Sequence, residues 1–369
     1  METTAGQLAR RRMNVPRTVR LLLGSIAFVI AFSAACLAIR EALPFRYIPA
    51  VRSKLRHFQQ RGNDFDALFV GSSRIQYQVI PAMFDEVARN AGVPVKSFNA
   101  GVAGMRPPED AFLFDQLLAA RPQRLRWVFI ELGYVRFDIP EERRGTMRAQ
   151  YWHDVPRLWV LWQRVTELKP TDKPRSLKRV WRELRDPLGE FPQHLELFFR
   201  EMSNLGRGDF LSRRLLYAPR KLDARLPVEL GPDLAGWTET GRGEEMTPEN
   251  RARFEQELAE RLVTPAVRDV GDRVSQEALE AMIAKVERIG ATPVLVAAPM
   301  GGRRYFFPRP ERAQRTLVLD FNDPHRFPEL FEVRHRLDTD HLNTAGSRLF
   351  TRLLAEQWIA HLNAREQGR

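Results

Sequence analysis

Apolar positions follow three spacings along the chain, and each predicts a different element. Leu21 to Ile39 is an uncharged, mostly apolar run, about as long as a bilayer-spanning helix needs. Further on come short runs with apolar middles: Asp66 to Val70, Pro94 to Phe98, Leu125 to Leu132, Thr292 to Ala298 and Leu317 to Phe321. Between them lie stretches with helical spacing. Ile80 to Ala91 turns Met83, Phe84, Val87, Ala88 and Ala91 to one side, and Glu249 to Leu262 and Val274 to Ile289 are also amphipathic. Pro107 to Ala120 starts on prolines, with Glu109 and Asp110 in its first turn, as a helix start favours. A final helix places Leu349, Phe350, Leu353, Leu354, Trp358 and Leu362 on one face. Strands with continuous apolar middles that alternate with helices predict a parallel sheet covered on both sides.

The alternation breaks near Asp138-Ile139-Pro140. Residues 140–245 are rich in arginine, tryptophan, phenylalanine and proline. Trp152, Trp159, Trp162 and Trp181 fall among Arg157, Arg164, Arg175, Lys178, Arg179 and Arg182. A helical insertion capping the sheet fits this. Its tryptophans either stack on sugar rings of a polymer or pack an ordinary helical core. The expected division is a basic segment over 1–20, an anchor over 21–39 and a polar tether over 42–64. An α/β domain follows in two parts, 65–139 and 246–369, split by the insertion over 140–245.

Charge and cysteine content narrow the setting. The chain has 369 residues and a net charge of +12, which suits nucleic acid, an anionic polymer or an anionic membrane. Arg10, Arg11, Arg12, Arg17 and Arg20 precede the apolar run. They predict a cytoplasmic N-terminus, with the rest of the chain outside the inner or cytoplasmic membrane, in the periplasm or cell exterior. That topology removes nucleic acid as a partner. A cleaved signal peptide ending near Ser33-Ala34-Ala35 is the alternative. The lone cysteine, Cys36, excludes an intrachain disulfide and a cysteine-based zinc site. The remaining histidines and acids show no metal-ligand spacing, and no glycine loop precedes a lysine, so neither metal nor cofactor is expected.

The candidate chemistry lies at two distant places. Asp338-Thr339-Asp340-His341-Leu342-Asn343-Thr344-Ala345-Gly346 puts an acid three residues before a histidine, just ahead of a helix that Asn343 or Thr344 can cap. Asp338 can reach back to the His341 ring and fix its tautomer; Asp340, being adjacent, is the rival acid. Far upstream, Gly71-Ser72-Ser73-Arg74 ends the first strand, so Ser73 sits where such sheets bind ligands.

These motifs resemble those of the SGNH/GDSL hydrolase superfamily, in particular its membrane-anchored members that act on cell-envelope polymers. Gly71-Ser72-Ser73 is similar to the first block, Asn99 to Gly104 to the second, and Asp338 to Gly346 to the last. The third block departs: Glu131-Leu132-Gly133-Tyr134-Val135-Arg136 keeps its glycine but has no asparagine near Val135. The resemblance implies a three-layer, flavodoxin-like α/β domain. It implies a Ser73–His341–Asp338 triad acting by acyl transfer, and an oxyanion held by the backbone N–H groups of Ser73 and Gly101. Asn99 and Arg74 are the candidates to replace the missing third donor, and Arg74 is also a candidate substrate contact. The expected activity is that of an anchored extracytoplasmic esterase or O-acyltransferase. Its partners would be a polysaccharide or acylated carbohydrate and a membrane acyl-donor protein. A non-catalytic binding or assembly subunit that keeps the fold is the alternative, favoured by the missing asparagine. An esterase acting on soluble products is a third reading.

Overall fold

The computed structural model describes residues 16–42, 48–167, 177–204, 235–239, 245–264, 266–302 and 304–367. They divide into two compact units, one drawn from 1–45 and 199–218, the other from 46–198 and 219–369. The first contains α1 (Arg17–Ala42). Its stretch from Arg17 to Arg40 contains an 18-residue window of mean hydropathy 2.5 and is long and apolar enough to cross a membrane. Leu21 through Ile39 are exposed with the exception of Cys36. The Asn204 side-chain amide donates to the Cys36 carbonyl at 2.9 Å, and an Arg40 guanidinium nitrogen lies 3.6 Å from the Met202 sulfur.

In the second unit α2 (Pro49–Arg61) precedes β1 (Ala67–Val70), the one-turn α3 (Ser73–Gln76), α4 (Pro81–Asn90) and β2 (Ser97–Asn99). Then come α5 (Glu109–Leu118), β3 (Trp127–Glu131), α6 (Met147–Gln150), α7 (Val155–Thr166) and α8 (Leu177–Met202), which belongs to this unit as far as Phe198. The C-terminal part holds α9 (Pro248–Val263), β4 (Val267–Asp269), α10 (Arg273–Arg288), β5 (Thr292–Ala297) and β6 (Arg304–Phe306). It closes with α11 (Pro310–Arg315), β7 (Leu317–Asp320) and α12 (Thr344–Gln367). Five strands form one parallel sheet in the order β2-β1-β3-β5-β7. The order reverses direction at β1 and β3, and a doubly wound sheet opens a crevice outside the carboxyl ends of its strands at such a point.

Unbroken apolar strands bury both faces, as the sequence predicts. Ala67, Phe69, Phe129, Val294 and Val296 face Phe84 and Ala88 of α4 and Phe350, Leu354 and Trp358 of α12. The rings interlock: Phe69 stacks on Phe129 at 4.4 Å, and Phe84 meets Phe69 edge-on at 5.0 Å. Each such side chain contributes about 2 kcal/mol by burial. Helices α5 and α10 cover the opposite face, where Ile130, Ala111, Leu279 and Met282 line a cavity of about 150 Å³.

One expectation needs correction. Residues 49–61, part of the stretch read as a polar tether, form α2, which buries Val51, Leu55 and Phe58. These recur at helical spacing, and Arg52, Arg56, Gln59 and Gln60 between them mask the stripe in a reading by composition. A small parallel pair, β4 with β6, was also not expected. The insertion is helical over Met147–Gln150, Val155–Thr166 and Leu177–Met202, while residues 235–239 are not. Trp152 is buried and stacks on His153 at 3.8 Å, Trp162 packs on Phe191 at 5.2 Å, and Trp159 is exposed. Arg10 to Arg12, Arg175 and residues 205–234 lie outside the described residues, as do the side chains of Trp181, Lys178, Arg179 and Arg182.

Candidate active site

The turn that carries Ser73 is built by a glycine and a buried acid. A Cβ at Gly71 would run into the Glu131 carboxylate and come within 2.5 Å of Ile75 Cγ1, so only glycine lets β1 leave the sheet here. Ser72 caps α3, its Oγ accepting from the Arg74 N–H at 3.3 Å. Glu131 ends β3 and is 7% exposed. Its carboxylate accepts from the Ser72 N–H at 2.5 Å and the Ser72 hydroxyl at 3.1 Å, and pairs with Arg74 Nε at 2.6 Å. Ser73 therefore occupies the first position of α3, above the carboxyl end of β1 at the switch point.

The second half of the site is the loop before α12. Asn343 caps that helix, accepting from the Gly346 N–H at 3.0 Å. Gly346 packs so close to the His335 carbonyl that a Cβ would collide with it. Leu337 N–H donates to the His341 carbonyl at 2.9 Å, which folds the loop back on itself. Asp338 fills its middle. Its Oδ1 accepts from the backbone N–H groups of Asp340 and His341, both at 2.8 Å, and both carboxylate oxygens lie 2.9 Å from His341 Nδ1. His341 Nε2 is then 2.7 Å from Ser73 Oγ. With Nδ1–H donating to Asp338, Nε2 is the acceptor for the serine proton. Burial works against the Asp338 charge, but the His341 contacts and the two backbone N–H groups outweigh it and hold this carboxyl below its ordinary value. Asp340 is exposed, and no hydrogen bond joins its side chain to His341 among the described residues.

Buried cations hold the backbone carbonyls of this loop and of neighbouring loops. Arg336 is fully buried. It donates to the Thr339 and Pro299 carbonyls and lies over the rings of Phe254 and Phe331. Burial first, opposed by Asp340 and Asp338, lowers its pKa to about 10. Arg261 holds the Met300 carbonyl and, at 2.6 Å, the Asn322 carbonyl. Lys54 of α2 reaches the Gly101 carbonyl. No local motif marks these groups; only their position under carbonyls of the site loops does.

The oxyanion expectation is corrected in part. The Gly101 N–H donates to Asn99 Oδ1 at 2.9 Å. The Asn99 amide in turn donates to the Ile75 and Val79 carbonyls, both at 2.7 Å, and the residue is fully buried. Both groups are committed to holding the nucleophile turn, so neither is free to meet an oxyanion. Arg74 has its Nε on Glu131 and an Nη 2.9 Å from the Met300 sulfur. Val135, where an asparagine would supply the third donor, is 3% exposed, and its N–H donates to Ser275 Oγ at 3.0 Å. Of the amides from Asn99 to Met105, that of Gly104 alone has no acceptor among the described residues, and neither does that of Ser73. Gly104 has φ +67°, a conformation that favours glycine.

Among the described residues no three His, Cys, Asp or Glu side chains are grouped to hold a metal ion. No family model matches the chain, and no curated protein matches it.

Proposed function

We propose that the chain is a serine esterase or O-acyltransferase of SGNH type, acting on an acylated saccharide. The observation that carries this is the continuous relay from Asp338 through His341 to Ser73, with 2.9 Å and 2.7 Å between its groups. In the reaction His341 Nε2 takes the Ser73 hydroxyl proton as Oγ attacks the ester carbonyl carbon. The carbonyl oxygen becomes an oxyanion, for which the free Ser73 and Gly104 N–H groups are the available donors. Collapse breaks the bond to the alcohol, which leaves with the proton from His341, and the acyl group stays on Ser73. Water or a saccharide hydroxyl, deprotonated by His341, then removes it. Water gives hydrolysis and a hydroxyl gives transfer. The saccharide class rests on the resemblance of the motifs to those of anchored envelope proteins.

The test is turnover of 4-nitrophenyl acetate by the full chain in detergent. Ser73→Ala is expected to lose a thousandfold or more, on the order seen when a triad member is removed. A rate that survives in Ser73→Ala overturns the assignment. The absence of a third donor at Val135 favours one other reading, a non-catalytic subunit, and a folded wild type without turnover would support it.

The proposal also places α1 in the cytoplasmic membrane, with everything after Arg40 outside the cytoplasm. The basis is the exposed apolar surface of α1 and the arginines before it. A reporter that works only outside the cytoplasm, fused after Arg369, should be active; activity of a cytoplasm-only reporter there contradicts the orientation.

A further inference from the structure

We infer that the substrate carries an anionic group, seated in an arginine-lined cleft beside the Gly104 loop, so that the site selects an acylated acidic saccharide. This rests on the esterase reading above. The cleft lies between the exit of β2 and the start of the insertion. Its walls include Gly104, Arg106, Arg136, Arg143, Arg148 and Trp152. It encloses about 40 Å³, room for one carboxylate- or phosphate-sized group and too little for a sugar ring, since one water needs roughly 10–15 Å³ of such space.

Four arginines there face two carboxylates, Glu109 and Asp138, which leaves two positive charges in excess. Glu109 is occupied: it accepts from Arg143 at 3.3 Å, Arg148 at 3.1 Å and the Tyr151 hydroxyl at 2.8 Å. Asp138 is 3.9 Å from Arg136, at the limit of an ion pair. No carboxylate pairs with Arg106 among the described residues, and the Arg148 Nη2 is buried without a partner. Partial burial first, then Arg136, pushes the Arg106 pKa down against the pull of Asp138; Arg143 and Arg74 add to the push. An anion would relieve this repulsion and receive forked, charge-assisted hydrogen bonds.

Two links tie the cleft to the reacting centre. Arg74, close enough to act on Arg106, follows the nucleophile in sequence. The Gly104 carbonyl, in the cleft wall, accepts from Arg143 at 2.9 Å, while the N–H of the same residue is the free amide of the oxyanion loop. A substrate anion held by Arg106 and Arg136 thus sits next to the backbone that would hold its ester carbonyl.

The test compares acetyl esters of methyl glucuronoside, methyl glucoside 6-phosphate and neutral methyl glucoside, with full-length protein in detergent. Wild type is expected to favour an anionic ester about tenfold or more in kcat/KM, the worth of one or two charge-assisted hydrogen bonds. The arm with the higher rate tells carboxylate from phosphate. The double variant Arg106→Gln/Arg136→Gln should lose that preference and turn over all three esters at similar rates. Equal wild-type rates on all three esters, or a preference that survives in the double variant, overturns the inference. If wild type turns over none of them, the esterase reading fails separately. The cleft is then read by thermal shift of Ser73→Ala with the three unacetylated sugars. Stabilisation by an anionic sugar alone, lost in Arg106→Gln, supports the cleft; no stabilisation overturns it.

Discussion

Two histidine sites in one fold differ in what their ring nitrogens meet. His341 sits part-exposed in a loop, with a carboxylate on one ring nitrogen and a serine hydroxyl on the other. His153 and His194 sit in the insertion with no carboxylate. His194 Nε2–H donates to the Phe137 carbonyl at 2.8 Å, its Nδ1 accepts from His153 Nε2–H at 2.9 Å, and His153 Nδ1 is buried without a partner. Burial first, then His194, pushes the His153 pKa from 6.5 to about 3. Burial also lowers that of His194. The rings are identical, and the second nitrogen's partner decides their use. In the proposed reaction Asp338 would steady an imidazolium as it forms, whereas the buried pair has no carboxylate to balance a proton, and the backbone carbonyls beside it do not offset its burial.

The comparison is broken most sharply by removing the charge from the acid. Asp338→Asn keeps the shape but lets Nδ1 accept instead of donate, which puts the wrong tautomer in front of Ser73. Ester turnover should fall by up to about ten-thousandfold, as for the equivalent change in a serine protease triad. Asp340→Asn should cost tenfold or less, because that carboxylate is exposed and only tunes the local field. A crippled Asp340→Asn beside a near-normal Asp338→Asn would exchange their roles.

A smaller effect sharpens the insertion's side of the comparison through pH. His153 titrates near 3 in the folded chain and at 6.5 when unfolded. Between those values the unfolded state binds the extra proton, and stability rises with pH. Asp110 has the opposite sign. Burial first, with Glu109 and Glu131 adding and the Ala111 N–H opposing, raises it from 3.8 to about 7. Over that window the folded state holds the extra proton, so stability falls as pH rises. The two slopes, each at most about 1.4 kcal/mol per pH unit, oppose one another across their overlap. Thermal melting between pH 4.5 and 6.5 should therefore become steeper in both variants and with opposite signs. Asp110→Asn should lose stability toward acid, and His153→Phe should lose it toward neutrality. Parallel shifts in both would remove the assignment of these two groups.

How much of this was legible depended on how local the determinants are. Asp338, His341 and Asn343 lie within a few residues of each other, and their spacing alone forces the loop, the acid contact and the helix cap. Ser73 was legible because an unbroken apolar strand ends on Gly71. The proposed oxyanion donors were not, because spacing does not tell which amide is already bonded: Gly101 and Gly104 look alike until Asn99 is seen accepting from the former. Glu131 was read only as a departure from a motif, yet it anchors the nucleophile turn from a neighbouring strand. The stripe of Val51, Leu55 and Phe58 was hidden by the polar residues around it.

The central claim is that His341 activates Ser73, and covalent labelling tests it without any knowledge of the natural substrate. The full chain in detergent is treated with a fluorophosphonate, and the modified residue is located by peptide mass spectrometry. The account predicts one adduct, on Ser73, formed rapidly in wild type, much more slowly in Asp338→Asn and not at all in Ser73→Ala. An adduct that persists in Ser73→Ala, or a folded wild type that takes none, would contradict it.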